Sequence, residues 1–259
     1  MNINPKTKIS EGGKLANADR QAAKTMTSAR KIALVAGVFY LLTFVSIPTL
    51  ALYGQVRAPN YILGPGPDTS AQLGAVLEII VALAGIGTAV ALYPVVKKQN
   101  EGVALGFIGA RVLEAAAIFA GVACLLSVVT LRQAGVGADG LITGQTLVAL
   151  YDRLFLVGQS LMPVMNALLL GSLLYRSRLV PRVLPLLGLI GAPLLLAGDA
   201  AVLFGLLGRV DPLAALSAAP IALWEFSLGV WLVVKGFNPS AITSQAATTS
   251  KLVAEPLVP

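Results

Sequence analysis

Six long apolar stretches recur along the chain, over residues 32–53, 73–96, 103–130, 147–174, 183–207 and 213–234. Each has at least the ~20 predominantly apolar residues that a helix needs to cross a hydrocarbon layer ~30 Å thick. Basic residues alternate around them. Lys6, Lys8, Lys14, Arg20, Lys24, Arg30 and Lys31 precede the first stretch, and Lys97, Lys98, Arg176, Arg178, Arg182, Lys235 and Lys251 fall on the same side. Only Arg57, Arg132 and Arg209 fall on the other. Fourteen against three predicts, by the positive-inside rule, that both termini and the second and fourth loops are cytoplasmic. The predicted fold is all-α: one bundle of six transmembrane helices, N-in and C-in, multi-pass in the inner (cytoplasmic) membrane.

A net charge of +7 in a soluble chain would suggest nucleic acid. Here the excess sits at helix ends, where topology and anionic headgroups account for it, so no nucleic-acid partner is predicted. The partner that composition implies is the lipid bilayer. Histidine is absent and Cys124 is the only cysteine, which excludes His-ligated haem or zinc, Ser–His and Cys–His catalysis, and an intrachain disulfide. No cofactor, metal site or enzymatic activity is predicted, and Cys124 reads as a small buried hydrophobe. The first stretch exceeds a signal-peptide core and lacks a small-x-small cleavage site, so it reads as a retained helix.

Three regions follow: residues 1–29 as a cytoplasmic tail, disordered or lying on the membrane surface, 30–236 as the membrane domain, and 237–259 as a disordered cytoplasmic tail. The first external loop carries Gly64-Pro65-Gly66-Pro67, with Asp68, Thr69 and Ser70 as candidate N-caps. The second, over 131–146, is Gly-rich and predicted to be mobile; its literal G-x-G-x-x-G lacks the βαβ setting of a dinucleotide fingerprint. Tyr53, Tyr151, Tyr93, Tyr175 and Trp231 fall near the expected membrane interfaces. Gly102 and Gly106, Gly85 and Ala89, and Gly188 and Ala192 are candidates for close helix contacts.

Seven ionisable side chains lie inside the stretches: Glu78, Arg111, Glu114, Asp152, Arg153, Asp199 and Glu225. A charge near the bilayer centre costs about 2.5–3.5 kcal/mol on insertion scales, so it pairs or faces a cavity. Glu78, Asp152 and Arg153 are near the external end and read as polar caps in reach of interfacial water. Arg111, Glu114 and Glu225 lie roughly 12–17 Å from the cytoplasmic boundary at 1.5 Å per residue. Arg111 and Glu114, three apart, share one helix face, so Arg111 is predicted to bond Glu114, Glu225 or both. Asp199 has no evident cationic partner. In the fourth stretch Asp152, Gln159 and Asn166, spaced by seven, predict one polar stripe. Pro163 leaves the Gln159 carbonyl without its helical donor. The candidate polar cluster is therefore Arg111, Glu114, Asp199, Glu225, Asp152, Gln159 and Asn166.

The run Leu169-Leu170-Gly171-Ser172-Leu173-Leu174-Tyr175-Arg176-Ser177-Arg178-Leu179-Val180-Pro181-Arg182, the run Arg111-Val112-Leu113-Glu114-Ala115, and Glu225 followed by Trp231-Leu232-Val233-Val234-Lys235-Gly236-Phe237 together resemble a bacterial multi-pass membrane family, domain of unknown function 4386. The resemblance covers about residues 30–237. It implies an integral membrane protein of about six helices and brings no activity, substrate or site residue with it.

Two functional expectations follow from the residues alone. Five acids against two arginines within the stretches point to a small proton- or cation-linked transporter of unidentified ligand, because dehydration favours a carboxyl group that can take up a proton. The small-residue faces and the lack of a large extramembrane domain point instead to a non-catalytic membrane partner or assembly subunit, as a homo-oligomer or with another membrane protein.

Overall fold

The computed structural model describes residues 26–65 and 67–244. The expectations for 1–25 and 245–259, and for Gly66 in the first loop, lie outside the described residues. Six helices are long and apolar enough to cross a membrane: α1 (Met26–Leu52), α2 (Thr69–Val96), α3 (Glu101–Gln133), α4 (Gly137–Ser177), α5 (Val183–Leu203) and α6 (Pro212–Val234). No strand occurs among the described residues. Asn100 caps α3 by accepting the Val103 N–H at 3.0 Å, and Asp211 caps α6 through the Leu213 N–H at 2.8 Å.

The helices close into a ring in chain order. Gly37 of α1 lies so near α6 that a Cβ would stand 2.8 Å from the Gly229 carbonyl oxygen. Arg30 extends that seam by donating to the carbonyls of Leu232 (2.9 Å) and Val233 (2.6 Å), two of the acceptors that the end of α6 leaves open. Phe39 of α1 packs on Gly87 of α2, and α2 runs against α3. Ala117 of α3 meets Gly158 of α4, Leu189 of α5 meets Gly171 of α4, and Trp224 of α6 lies over Gly188 of α5. Close approach at small residues is how helices gain packing where lipid offers no hydrophobic drive. Of the glycines expected to do this, Gly188 does, whereas a Cβ on Gly85 or Gly106 would meet only a side chain at the ordinary contact distance of 3.8 or 3.6 Å, and Gly102 meets only the Asn100 side chain.

Two helices depart from regular geometry. In α1 the hydroxyls of Thr43, Ser46 and Thr49 each donate to the carbonyl three residues back. Together with Pro48 this tightens Thr43–Ser46 into a 3-10 turn. In α4 the stretch Phe155–Ser160 is a π-helix. Pro163 supplies no N–H, and the ladder widens just before it.

Several expectations are corrected. The loop expected over 131–146 shrinks to 134–136, because α3 persists to Gln133 and Gly135 and Gly137 take φ of 65° and 64°, a left-handed geometry that reverses the chain in a few residues. Asp68 makes no side-chain cap bond to α2; its carboxylate is engaged elsewhere. Tyr53 and Tyr151 are buried and meet edge-to-face at 5.6 Å rather than facing the membrane interface. At the N-terminal side α1 is described from Met26 onward, with Ala29 buried. Past the end of α6, Phe237, Ala241 and Ile242 are buried, and the Asn238 N–H bonds the Leu179 carbonyl at 2.8 Å.

At 1.5 Å per residue α3 is about 50 Å long and α4 about 60 Å, more than a ~30 Å layer requires. Their hairpin continues outward and packs under the first loop, where Ile62 lies on Gly144. The end bearing Lys97, Lys98, Arg178, Arg182 and Lys235 is termed the basic face below, and the opposite end the far face.

Candidate functional site

Arg111 stands at the middle of the ring with 2% of its surface exposed. Its position on α3 puts Glu114 on the same helix face, and Nη1 donates to Glu114 Oε2 at 3.0 Å. Nη2 donates to Glu225 Oε1 on α6 at 2.5 Å. Asn166 of α4 also donates to Glu114 Oε2, at 2.8 Å. The Tyr40 ring of α1 lies beneath the guanidinium, its centroid 5.5 Å from Cζ. On α2, Gly85 leaves room for the arginine stem: a Cβ there would be 3.8 Å from Arg111 Cδ. Five helices thus converge on one cation and two carboxylates. Arg111 Nε and Asn166 Oδ1 have no hydrogen-bond partner among the described residues.

A second tier lies about 10 Å toward the far face, since Glu78 precedes Gly85 on α2 by seven residues. Glu78 is 1% exposed, not the water-reached cap expected from its position. The reason is the cover above it. Tyr151 donates to Glu78 Oε1 at 3.0 Å, and Arg209, from the turn between α5 and α6, donates to the Tyr151 oxygen at 3.4 Å. The Arg209 guanidinium lies 3.9 Å from the Phe155 centroid. Tyr53 and Gln159 flank the same carboxylate.

Asp152 is shared at the far face by Arg57 (2.9 Å) and Arg209 (2.8 Å), and its side chain is 32% exposed. A cavity of about 320 Å³ opens beside Arg57 and Asp152 between the first loop and α4. Further out, Asp68 receives Arg132 at 2.5 Å, the Tyr61 hydroxyl at 2.5 Å and the Gln133 amide at 2.8 Å. Burial works against ionisation of Asp68, but the Tyr61 and Gln133 bonds and the Arg132 charge outweigh it and hold the carboxyl below its ordinary value. Burial, then the bond to Asp68, pushes Tyr61 up to about 12.

The predicted cluster therefore divides. Arg111, Glu114, Glu225 and Asn166 come together. Asp199 stands apart on α5, where the Ser160 hydroxyl donates to Oδ1 at 2.5 Å and Oδ2 has no partner among the described residues. Asp152, Gln159 and Asn166 do not form one stripe. The π-turn Phe155–Ser160, which contains Gln159 and separates Asp152 from Asn166, changes the rotation per residue, so Asp152 meets arginines, Gln159 meets Glu78 and Asn166 meets Glu114. Arg153 is exposed. Tyr40, Tyr151, Arg209 and Ser160 join these clusters, although no sequence pattern marks them as site residues. Tyr151 reads in sequence as an interface aromatic and Arg209 as a topology charge, and periodicity carries no signal that brings either onto α2.

No curated protein and no solved structure matches the chain. The family model described as domain of unknown function (DUF4386) matches residues 35–236, which runs from within α1 to just past the end of α6 and contains each of these polar clusters. With more than half of its length matched, this multi-pass membrane protein belongs to the DUF4386 family.

Proposed function

We propose that the chain is a small proton-linked membrane transporter, non-enzymatic, whose central carboxylates take up and release the proton. The observation that carries this reading is the acid surplus at the middle of the ring. Glu114 and Glu225 share the single cation Arg111, and Glu78 and Asp199 are buried with hydroxyl donors rather than cations. Ion pairing alone requires one acid for one arginine, and each additional charge at this depth costs stability. Intramembrane acids of this kind recur in proton relays.

The polar groups form an interrupted column. From the far face it runs through Asp152, Arg209, Tyr151 and Glu78, and it reaches Arg111 past the π-turn of α4, where Gly158 lies against the Glu114 carbonyl. A π-turn is a frequent functional irregularity, and here it passes between the two tiers, with Gln159 beside Glu78 and Gly158 beside the Glu114 backbone. Rearrangement there joins or separates them. In this reading the basic face is cytoplasmic, giving N-in and C-in in the cytoplasmic membrane.

The test is proton flux into proteoliposomes under an imposed potential, read with an internal pH dye. Wild type is expected to conduct above empty vesicles, and Glu114→Gln and Glu225→Gln to lose at least tenfold. Flux that survives both substitutions together with Asp199→Asn sinks the proposal.

A second reading, a membrane partner or assembly subunit, is favoured by uneven burial. The apolar windows of α1, α5 and α6 are 28–33% buried, against 50% for α2, α3 and α4, so one arc of the ring leaves more apolar surface for a neighbour. A monodisperse monomer with nothing co-purifying after gentle extraction counts against it.

A further inference from the structure

A second cavity, of about 690 Å³, opens at the basic face between the α4–α5 turn and the end of α6. Three cations border it, Arg178, Arg182 and Lys235, together with Trp231 and Phe237. No acid lines it, and none of the three cations has a carboxylate within salt-bridge distance among the described residues. This is the reverse of the far face, where arginines are neutralised by Asp68 or Asp152.

Backbone geometry adds a separate observation. Arg178 ends α4 at φ 54°, ψ 26°, and it is the one non-glycine residue with positive φ among the described residues. Glycine or asparagine normally takes this helix-ending position, because a Cβ is strained there. An arginine held in such strain is over-determined by its surroundings, a situation that clusters at ligand clamps and active sites. Arg182 is oriented too. Its Nε donates to the Tyr175 carbonyl at 3.3 Å and its guanidinium lies 5.0 Å from the Tyr175 ring centroid, which leaves its terminal nitrogens available to an acceptor. The floor is apolar, with Leu179 and Val180 buried, and Asn238 bonded to Leu179 holds Phe237 across one side.

We infer that this cavity binds a phosphate group, in its lipid-borne form the headgroup of an anionic phospholipid. Guanidinium forks match phosphate oxygens in pairs. An indole sits well at headgroup depth, and basic pockets between membrane helices are suited to such headgroups. The volume is within the range of small-molecule sites. The inference does not depend on proton transport.

Thermal unfolding in a neutral detergent tests it, with phosphatidylglycerol, phosphatidylcholine or inorganic phosphate added to wild type, Arg178→Gly and Lys235→Gln. Arg178→Gly removes the cation and the backbone strain together, so its unliganded melting temperature is expected to equal or exceed that of wild type. A failure to bind is then not a failure to fold. Phosphatidylglycerol is expected to raise the melting temperature of wild type more than phosphatidylcholine does. Each substitution is expected to weaken its apparent affinity about fivefold, the effect of one basic residue at an anionic surface. Stabilisation by inorganic phosphate, lost in the same variants, supports the site and assigns it a soluble source. Equal shifts with all additives, or a phosphatidylglycerol shift that persists undiminished in both variants, overturns the inference.

Discussion

The centre of the ring and its far face use the same residue types in opposite proportion. At the centre one arginine serves two glutamates, all nearly dry. At the far face two arginines serve Asp152, whose side chain is 32% exposed. Water and screening make the outer network inexpensive to hold and worth little, about 0–1 kcal/mol for such a pair. The inner one has no water to fall back on, so its charges are strongly interdependent. The contrast teaches that a shared geometry, arginine against carboxylate, serves as a latch in one place and as a held surplus of charge in the other.

The largest expected effect is that of Arg111→Leu, which leaves the buried Glu114 and the partly buried Glu225 without a counter-charge. A loss of about 3–5 kcal/mol is expected by thermal or denaturant unfolding, most of it recovered when Glu114→Gln and Glu225→Gln are added. A loss under about 1 kcal/mol would erase the distinction between centre and far face. Glu114→Gln is expected to come next, at about 1.5–3 kcal/mol, because Glu114 accepts from both Arg111 and Asn166, whereas among the described residues Glu225 accepts from Arg111 alone.

Packing sharpens the comparison. A Cβ on Gly74 would stand 2.5 Å from Tyr53 Cε1, so Gly74→Ala is expected to destabilise by about 1–3 kcal/mol. Gly85→Ala, beside the arginine stem, is expected to stay within about 0.5 kcal/mol. Equal effects would mean that the centre is as tightly filled as the rim. Asp152→Asn is expected to cost at most about 1 kcal/mol, and less as salt is raised.

The smallest effect concerns the outer latch. Asp68 ionises more readily when folded, so its contribution is present above its ordinary value near 3.8 and is lost as pH falls through the lower folded value. Tyr61 holds its proton up to about 12, so its contribution is full below the ordinary value of 10.0 and is lost as pH rises toward 12. The difference in melting temperature between wild type and Asp68→Asn is therefore expected to be flat from about pH 4 to 10 and to narrow at either extreme. A difference that peaks below pH 4 would contradict the latch.

Much of this was legible in the residues. The apolar stretches locate all six helices to within a few residues at most ends, because length in a ~30 Å layer is a strong constraint. Arg111 and Glu114 announce their contact by spacing alone. What stayed hidden depends on contacts between distant segments. The burial of Glu78 requires Arg209 to reach over Tyr151 from another loop, and no spacing reports that. The division of the α4 stripe needs the π-turn, of which Pro163 is only a hint. The early start of α4 was masked by glycines that read as a loop and in fact make its first turn.

The most direct test takes one variant, Glu225→Gln, and measures its unfolding and its proton flux on the same preparation. The amide leaves Arg111 and Glu114 as a charge-balanced pair, so stability is expected to stay within about 1 kcal/mol of wild type while proton flux is lost. Destabilisation as large as that of Arg111→Leu, with flux equal to wild type, would contradict the assignment: Glu225 would then be a structural tie and not a carboxylate retained for proton movement.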